Sequence, residues 1–591
     1  MTAPDSVPTL SRRKLLGGVS AGLAAGSAGC LQYARSLANR ESPEQVSVTI
    51  KTVPADDDEA AVQIARTLQK NMTAVGIDAD IELVEITRLF RDVLLNQAFD
   101  VYVGQFPPYH DPDFLRSALH STFVTEQGWQ NPFGVSDLGL DEQLTAQRTT
   151  AGADRQRTVA DVANSVAEIQ PFATVCFPEE ITVARTDRFG NWDGGRFAKP
   201  ISYLTLDQAE SGPDDATTLG LVLTDDRITK NLNPIAVEYR RPNPLTDLLY
   251  DPLMRREDGD VRPWLAGDVT WRRTEATGVT ATVELREETS FHDGEALTAA
   301  DVVFTYRFLD DTSLGTGDMH VPSPTFRGRT SLVESIERLD DRTVQIGFGE
   351  TTEEVAVRAL TVPILPAHVW EAKTGSANLA GIDISEGVTQ ALVWANTDPV
   401  GSGPFRLESR TPAERLVLSR FDDHPLIGTG PEQFDVPFER IAVQVAPSDG
   451  AAASLVTEGT VDATGDPVHP KVLENVTGEE PIERFVADSR AFYHVGFNAR
   501  REPFGNVRFR QALARLLDSE HVAETVFDGY AAPAATPLAG TSWEPPEFRW
   551  DGTDPVVPFA GTDGDLDAPT ARATFREAGY AYDSDEGRLL K

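Results

Sequence analysis

Residues 46–53, VSVTIKTV, place Val46, Val48 and Ile50 at alternate positions, the period of a half-buried β-strand. Three acids follow, Asp56, Asp57 and Asp58, and they suit the start of a helix. Ala61, Ile64, Ala65, Leu68, Met72 and Val75 then recur at helical spacing, and Gly76 supplies the stop. ADIELVEI reads as a second strand, residues 87–98 as a second helix and FDVYVGQF as a third strand. This alternation predicts an α/β fold with a mostly parallel sheet and helices on its faces. Ligands on such sheets sit off the carboxyl ends of the strands, which points to the loop GQFPPYHDPD at 104–113.

A further helix and strand at 155–185 close this region, and DQAESGPDDATT (207–218), polar and rich in turn formers, reads as a linker. A new register begins at Leu219. GVTATVELREETSFHDGEALTAADVVFTYRFL gives an alternating strand, a polar turn and an amphipathic helix capped by Thr298. RTVQIGF and RLVLSRF are further strands. Residues 506–527 read as one long helix carrying Phe509, Leu513, Leu516, Leu517 and Val522. The closing stretch, AGYAYDSDEGRLLK, ends a helix at Gly579, turns, and opens an apolar segment that lacks a following strand.

At 591 residues the chain is too long for one core. Its 92 acids against 53 bases give a formal net charge of -39, spread along the chain, with about eight lysines among the bases. No basic patch is visible, so nucleic acid is a poor partner. An evenly acidic, lysine-poor surface resembles the adaptation of proteins from salt-loving archaea, where salt screens self-repulsion. The two cysteines, Cys30 and Cys176, exclude a disulfide framework, and Cys176 in FATVCF reads as a buried thiol. Ser11-Arg12-Arg13-Lys14-Leu15-Leu16 resembles a twin-arginine export signal, and Ser27-Ala28-Gly29-Cys30 resembles a lipobox in which Ser27 replaces the usual leucine. The apolar run after Lys14 is too short and glycine-rich to span a bilayer. Residues 1–30 are therefore read as a signal, Cys30 as a lipid anchor and 31–45 as a tether.

No GxSxG elbow, HExxH, P-loop or cysteine nucleophile is present, and no two histidines lie at i,i+4. LREETSFHDGEALTAADVV (285–303), however, resembles the signature of extracellular solute-binding proteins of the dipeptide, oligopeptide and nickel class (family 5) of ABC importers. LLYDPL, RPWLAGDVTW, PVGSGPFRLES, YHVGFNARREPFGNVRFRQALARLLD and ARATFREAGY agree in type and order, so the resemblance covers nearly all of 219–591. Family members continue past the AGY helix with a series that here stands at the front, from VSVTIKTV to FDVYVGQFPPYHDPDF. The resemblance therefore implies a two-lobed type II periplasmic-binding-protein-like clamp with an additional domain, circularly permuted. One lobe would combine 219–257 and 391–503 with the return at 182–218, of which 207–218 is linker. The extra domain would be 258–390, and the second lobe 504–591 with 46–181. VSVTIKTV is then expected beside the chain's last residues.

The same resemblance implies the site. In peptide-binding members the loop after the third strand carries Gly-Trp and an Asp for the peptide amino group. Here Gly104 matches the glycine, while Gln105 stands at the Trp position and Pro108 at the Asp position. Recognition of a free peptide N-terminus is thereby in doubt; Tyr109 or Asp111 could substitute. Asn233, Pro234 and Ile235 fall on the segment that flanks extended ligands, Tyr493 and His494 where the family places aromatic side chains, and Trp394 and Trp543 near the expected cleft. The implied function is capture of a peptide-like or other small organic solute outside the cell by lobe closure. No catalytic residue, cofactor or metal is expected, and the partners are a permease and its ATPases, with the protein a lipid-anchored monomer on the outer face of the membrane. The rivals are a ligand-presenting sensory protein, a nickel or metal-chelate binder and a secreted hydrolase.

Overall fold

The computed structural model describes residues 44–591, apart from 193–195, 198, 210–216, 237–243, 258, 275–277, 318–319, 378–387, 477–480 and 585–586. The export signal, Cys30, residues 31–43 of the tether and the middle of the 207–218 linker lie outside the described residues. The strands read first from the pattern form as β1 (Ser47–Thr52), β2 (Asp78–Leu83) and β3 (Val101–Phe106). β1 runs parallel to both neighbours, with Ile50 opposite Ile81 on one side and Val101 on the other. Between β1 and β2 lies the helix Glu59–Ala74. Asp58 caps it by accepting the Ala61 N–H at 3.0 Å, and Gly76 turns the chain with φ +89°.

β4 (Phe172–Arg185) is the longest strand of the large sheet, and it joins the two halves of the molecule. Its first part pairs with Phe492–Phe497 and Ala531–Pro533, its second with Ile482–Asp488 and, at Ala184, Ala463. On one side of it the sheet continues through Phe492–Phe497 to β3, β1 and β2; on the other it runs through Ala463–Thr464 and Thr218–Leu223 to Arg440–Val445, Arg415–Arg420 and Phe405–Thr411. Separate apolar cores cover the two halves. One contains Val48, Ile50, Leu68, Val101, Phe172, Phe497, Phe509 and Phe575. The other contains Leu219, Leu221, Leu248, Phe405 and Ile441 and runs on without a break into Val279, Val283, Val302 and Ile346. Val279, Val283 and Ile346 belong to an antiparallel sheet, Ala266–Thr274, Gly278–Leu285, Thr343–Gly347 and Ser335–Arg338, and Val302 to the helix Ala299–Asp310 packed on it. This added domain thus shares its core with the first lobe.

Three expectations are corrected. The strand Phe492–Phe497 lies in the second lobe, between β3 and β4, so the lobe boundary falls near residue 490 and not after 503. The helix expected at 87–98 is the short helix Ile86–Phe90 continued by a π-helical turn, Arg91–Leu95. The long helix at 506–527 is two helices, Val507–Ala514 and Ser519–Thr525. Asp518 breaks it by accepting N–H bonds from His521 at 3.1 Å and Gly564 at 3.0 Å. In the same lobe the terminal residues meet the segment that leads into β1. Lys591 N–H donates to the Glu44 carbonyl and Val46 N–H to that of Leu589, both at 2.8 Å. Gln45 and Leu590 form an antiparallel bridge.

Candidate site: the cleft between the lobes

Among the described residues the chain passes between the lobes at two places, Pro178–Thr182 on β4 and the link 488–491 between two strands, and these two segments floor a cleft of about 760 Å³. Its second-lobe wall comes from the β1 exit loop and helix start (Asp56, Asp57, Asp58, Glu59), from Gln105 near the end of β3 and Pro108 beyond it, and from Tyr493 and Phe527. The first-lobe wall comes from Thr224, the helix start at Ser448 and Asp449, and the segment 465–472. Both walls are therefore built at the carboxyl ends of strands, where parallel sheets place ligands. Tyr493 donates its hydroxyl to the Asp58 carboxylate at 2.9 Å and packs on Phe527. Lys471 reaches across to Glu59 at 3.2 Å and, by that hydrogen bond, holds the Glu59 carboxyl below its usual range.

Acids outnumber bases along this lining. Burial and the nearby Asp488 raise the Glu179 carboxyl. Burial also raises that of Asp57, with Glu85 and Asp225 adding to it against the opposing charge of Arg227. A cationic group on a bound solute would relieve both.

Of the residues singled out from sequence, Gln105, Pro108 and Tyr493 line this cleft, and Gly104 lines a smaller slot that opens from it. The rest sit elsewhere. Asn233, Pro234 and Ile235 are packed inside the first lobe, where Asn233 donates to the carbonyls of Ala391 at 2.7 Å and Trp394 at 2.8 Å. Its side-chain oxygen takes the Ile235 N–H, so these residues hold a loop and do not face a solute. Trp394 packs edge-on against Trp370 under Lys373. Trp543 lies under the Arg155 guanidinium. Tyr109 is stacked on Phe114 and bonded to the Pro537 carbonyl. His494 is fully buried, bonded to the Tyr102 hydroxyl at 2.6 Å, and burial pushes it down to about 3, so it stays neutral in the core. Cys176 is likewise buried on β4.

HDPD, the end of the β3 loop, fastens the lobe with that loop to the added domain. Asp113 takes Arg148 from its own lobe at 2.6 Å and Arg358 from the added domain. Arg155 spans Asp111 at 2.7 Å and Glu354 at 2.9 Å, and Arg327 pairs with Glu126 at 3.0 Å. Trp129 N–H donates to the Pro324 carbonyl and Thr352 N–H to that of Arg148. Both loop carboxylates are thus committed to guanidinium groups. Among the described residues no three His, Cys, Asp or Glu side chains gather as a metal site.

The model of bacterial extracellular solute-binding proteins, family 5 Middle, matches residues 260–591, more than half of the chain. The chain belongs to this family. Oligopeptide-binding protein AppA of Bacillus subtilis is 26% identical over 286 residues, 46% of this chain and 45% of the relative. Heme-binding protein A of Haemophilus influenzae is 24% identical over 322 residues, 52% of this chain and 54% of the relative. The chain spans about half the length of these family members in the matched region. Among solved members, B. subtilis AppA in complex with a nonapeptide aligns with TM-score 0.44 at 19% identity, over 64% of this chain and 67% of that one. NikZ from Campylobacter jejuni in complex with Ni(L-His) aligns with TM-score 0.43 at 17% identity, over 64% and 66%.

The acidic lining, the Arg227 and Lys471 cations and the hinge-floor residues were missed from sequence. Asp56, Asp57 and Asp58 were read only as a helix start. The rule that drew attention to the loop after β3 applies equally to the exit of β1, and would have found them.

Proposed function

We propose that this protein is the solute-capturing component of an ABC importer, holding a peptide-like or other small organic solute by closing its lobes over the 760 Å³ cleft. The carrying observation is that this cleft is walled by both lobes and floored by the two chain segments that join them. Rotation about these segments changes the cleft while leaving each core intact, and a solute that touches both walls favours the closed state by that difference in affinity. The negative lining favours a solute with a positive charge over an anionic one. The function is capture without a chemical step on the solute, followed by delivery to a permease and its ATPases.

The reading extends to a twin-arginine signal, a lipid on Cys30, a monomer on the outer face of the membrane and a surface adapted to high salt. It also includes a circular permutation that places the end of the second lobe at the front. The adjacency of Glu44 and Val46 to the last three residues supports that order. Mass spectrometry of small molecules released from the natively exported protein, purified in molar salt, tests the reading. A peptide or other organic solute is expected, and it should rebind in isothermal titration. Turnover of the released solute, or a nickel ion as the tightly held species, would overturn it.

A further inference from the structure

Behind the main cleft lies a slot of about 40 Å³, more than the ~10–15 Å³ that one water needs. Its walls are apolar, from Val53, Ile86, Leu89, Phe90, Val103 and Phe106, with Gly104 among them. Asp58, Gln105, Pro108 and Ala491 line both spaces, so the slot opens into the cleft. Arg227, from the first lobe, is among its lining residues, so the slot is complete only with the lobes together.

Gly104 sits inside β3, paired with His494, where a glycine weakens a strand and often marks close approach of a ligand. Its backbone is not left-handed, and a Cβ built on it meets nothing within 4 Å. Gly496 on the next strand is different, since a Cβ there would come within 2.3 Å of the Tyr102 ring. Neither backbone conformation nor packing requires glycine at 104. What its lack of a side chain provides is room in an apolar slot beside the solute cleft.

We propose that this slot is a specificity pocket for one small aliphatic side chain of a captured peptide, with Gly104 as the residue that keeps it open. This rests on the reading of the main cleft as a solute site. A Val- or Leu-sized group fits the space and loses its water against Leu89, Phe90 and Phe106, while the charged ends of the peptide stay in the polar cleft. Burial of such a side chain is worth about tenfold or more in affinity over glycine at the same place.

The test is isothermal titration of the full chain, in molar KCl, with tripeptides carrying Gly, Ala, Val, Leu or Phe at each position in turn. At one position the wild-type protein should prefer Val or Leu over Gly by about tenfold or more. Gly104→Leu should abolish that preference, with the loss falling on the Val and Leu peptides far more than on the Gly peptide, and Gly104→Ala should be intermediate. Leu89→Ala should move the optimum to Phe, which keeps the proposal falsifiable if Gly104→Leu does not fold. Equal loss for every peptide in the Gly104 variants, or no preference at any position in wild type, overturns the pocket while leaving the cleft reading in place. Failure of every tripeptide to bind overturns the peptide reading itself.

Discussion

The carboxylate of Asp113 has no exposed surface and meets Arg148 from its own lobe and Arg358 from the added domain. Replacing it with Asn leaves two guanidinium groups in a buried seam without their counter-charge, a change that costs about 3–5 kcal/mol. Denaturant unfolding of Asp113→Asn at fixed salt should show a loss in that range. The pH dependence follows from the same contacts. Burial would raise the Asp113 carboxyl, but the two arginines outweigh it and hold it below the usual carboxylate range. With the folded value depressed, the stabilisation is complete above the unfolded value of about 3.9 and is lost as pH falls through the folded one. The gap in Tm between wild type and Asp113→Asn should therefore be constant from neutral pH to about pH 5 and narrow below pH 4. A gap that widens on acidification would mean that Asp113 is not the charged partner. From sequence these residues read only as the end of the loop after the third strand, and nothing in their spacing showed that Arg358, 245 residues on, would pair with Asp113. His494 was misplaced for a different reason. Adjacent residues of a strand face opposite sides of the sheet, so with Tyr493 lining the cleft His494 turns into the core, where it bonds the Tyr102 hydroxyl.

Elements whose ends carry their own chemistry were legible. Asp58 and Thr298 both cap the helices expected of them, and at the second the N-cap is reciprocal. The Thr298 hydroxyl accepts the Ala300 N–H at 3.3 Å, and Asp301 accepts the Thr298 N–H at 3.0 Å. Thr298→Ala should lower stability by about 1 kcal/mol and Asp301→Ala by a similar amount, with the double variant less than additive because each group orients the other. Full additivity in chemical denaturation would show two independent caps. Elements that depend on distant partners were not legible. Apolar residues continue at helical spacing across 506–527, but Asp518 has a better use for its carboxylate in capping a new helix and binding the Gly564 N–H from a turn elsewhere in the lobe. The π-helical turn at Arg91–Leu95 likewise preserves the apolar stripe of Val93, Leu94 and Leu95 while changing the winding. Period alone cannot distinguish the two.

At the scale of the whole molecule, the order of segments along the chain is separable from their arrangement in space. The second lobe is assembled from residues at the front of the chain and residues at its end. Gln45 and Leu590 are paired antiparallel, with backbone bonds of 2.8 Å from Lys591 to Glu44 and from Val46 to Leu589. Gly76 keeps this junction tight: a Cβ there would lie 2.2 Å from the Gly587 carbonyl oxygen. Two chain ends in antiparallel register are what a two-residue hairpin joins, and Asn-Gly has the left-handed preference that such a turn needs. A variant that links Lys591 to Glu44 through Asn-Gly and opens the chain between 209 and 217 would start in the first lobe, pass to the second and return. If the lobes are indifferent to where the chain is cut, this variant should fold to the same far-ultraviolet circular dichroism. Its Tm should lie within a few degrees of the 44–591 chain, and it should show the same tripeptide preferences in titration. The chain stays linear, since one link is made as another is opened, so the change in the unfolded ensemble's freedom is small and no large stability change is expected from it. A variant that is soluble but unfolded, or folded with its peptide preference lost, would show that the present order of segments is required.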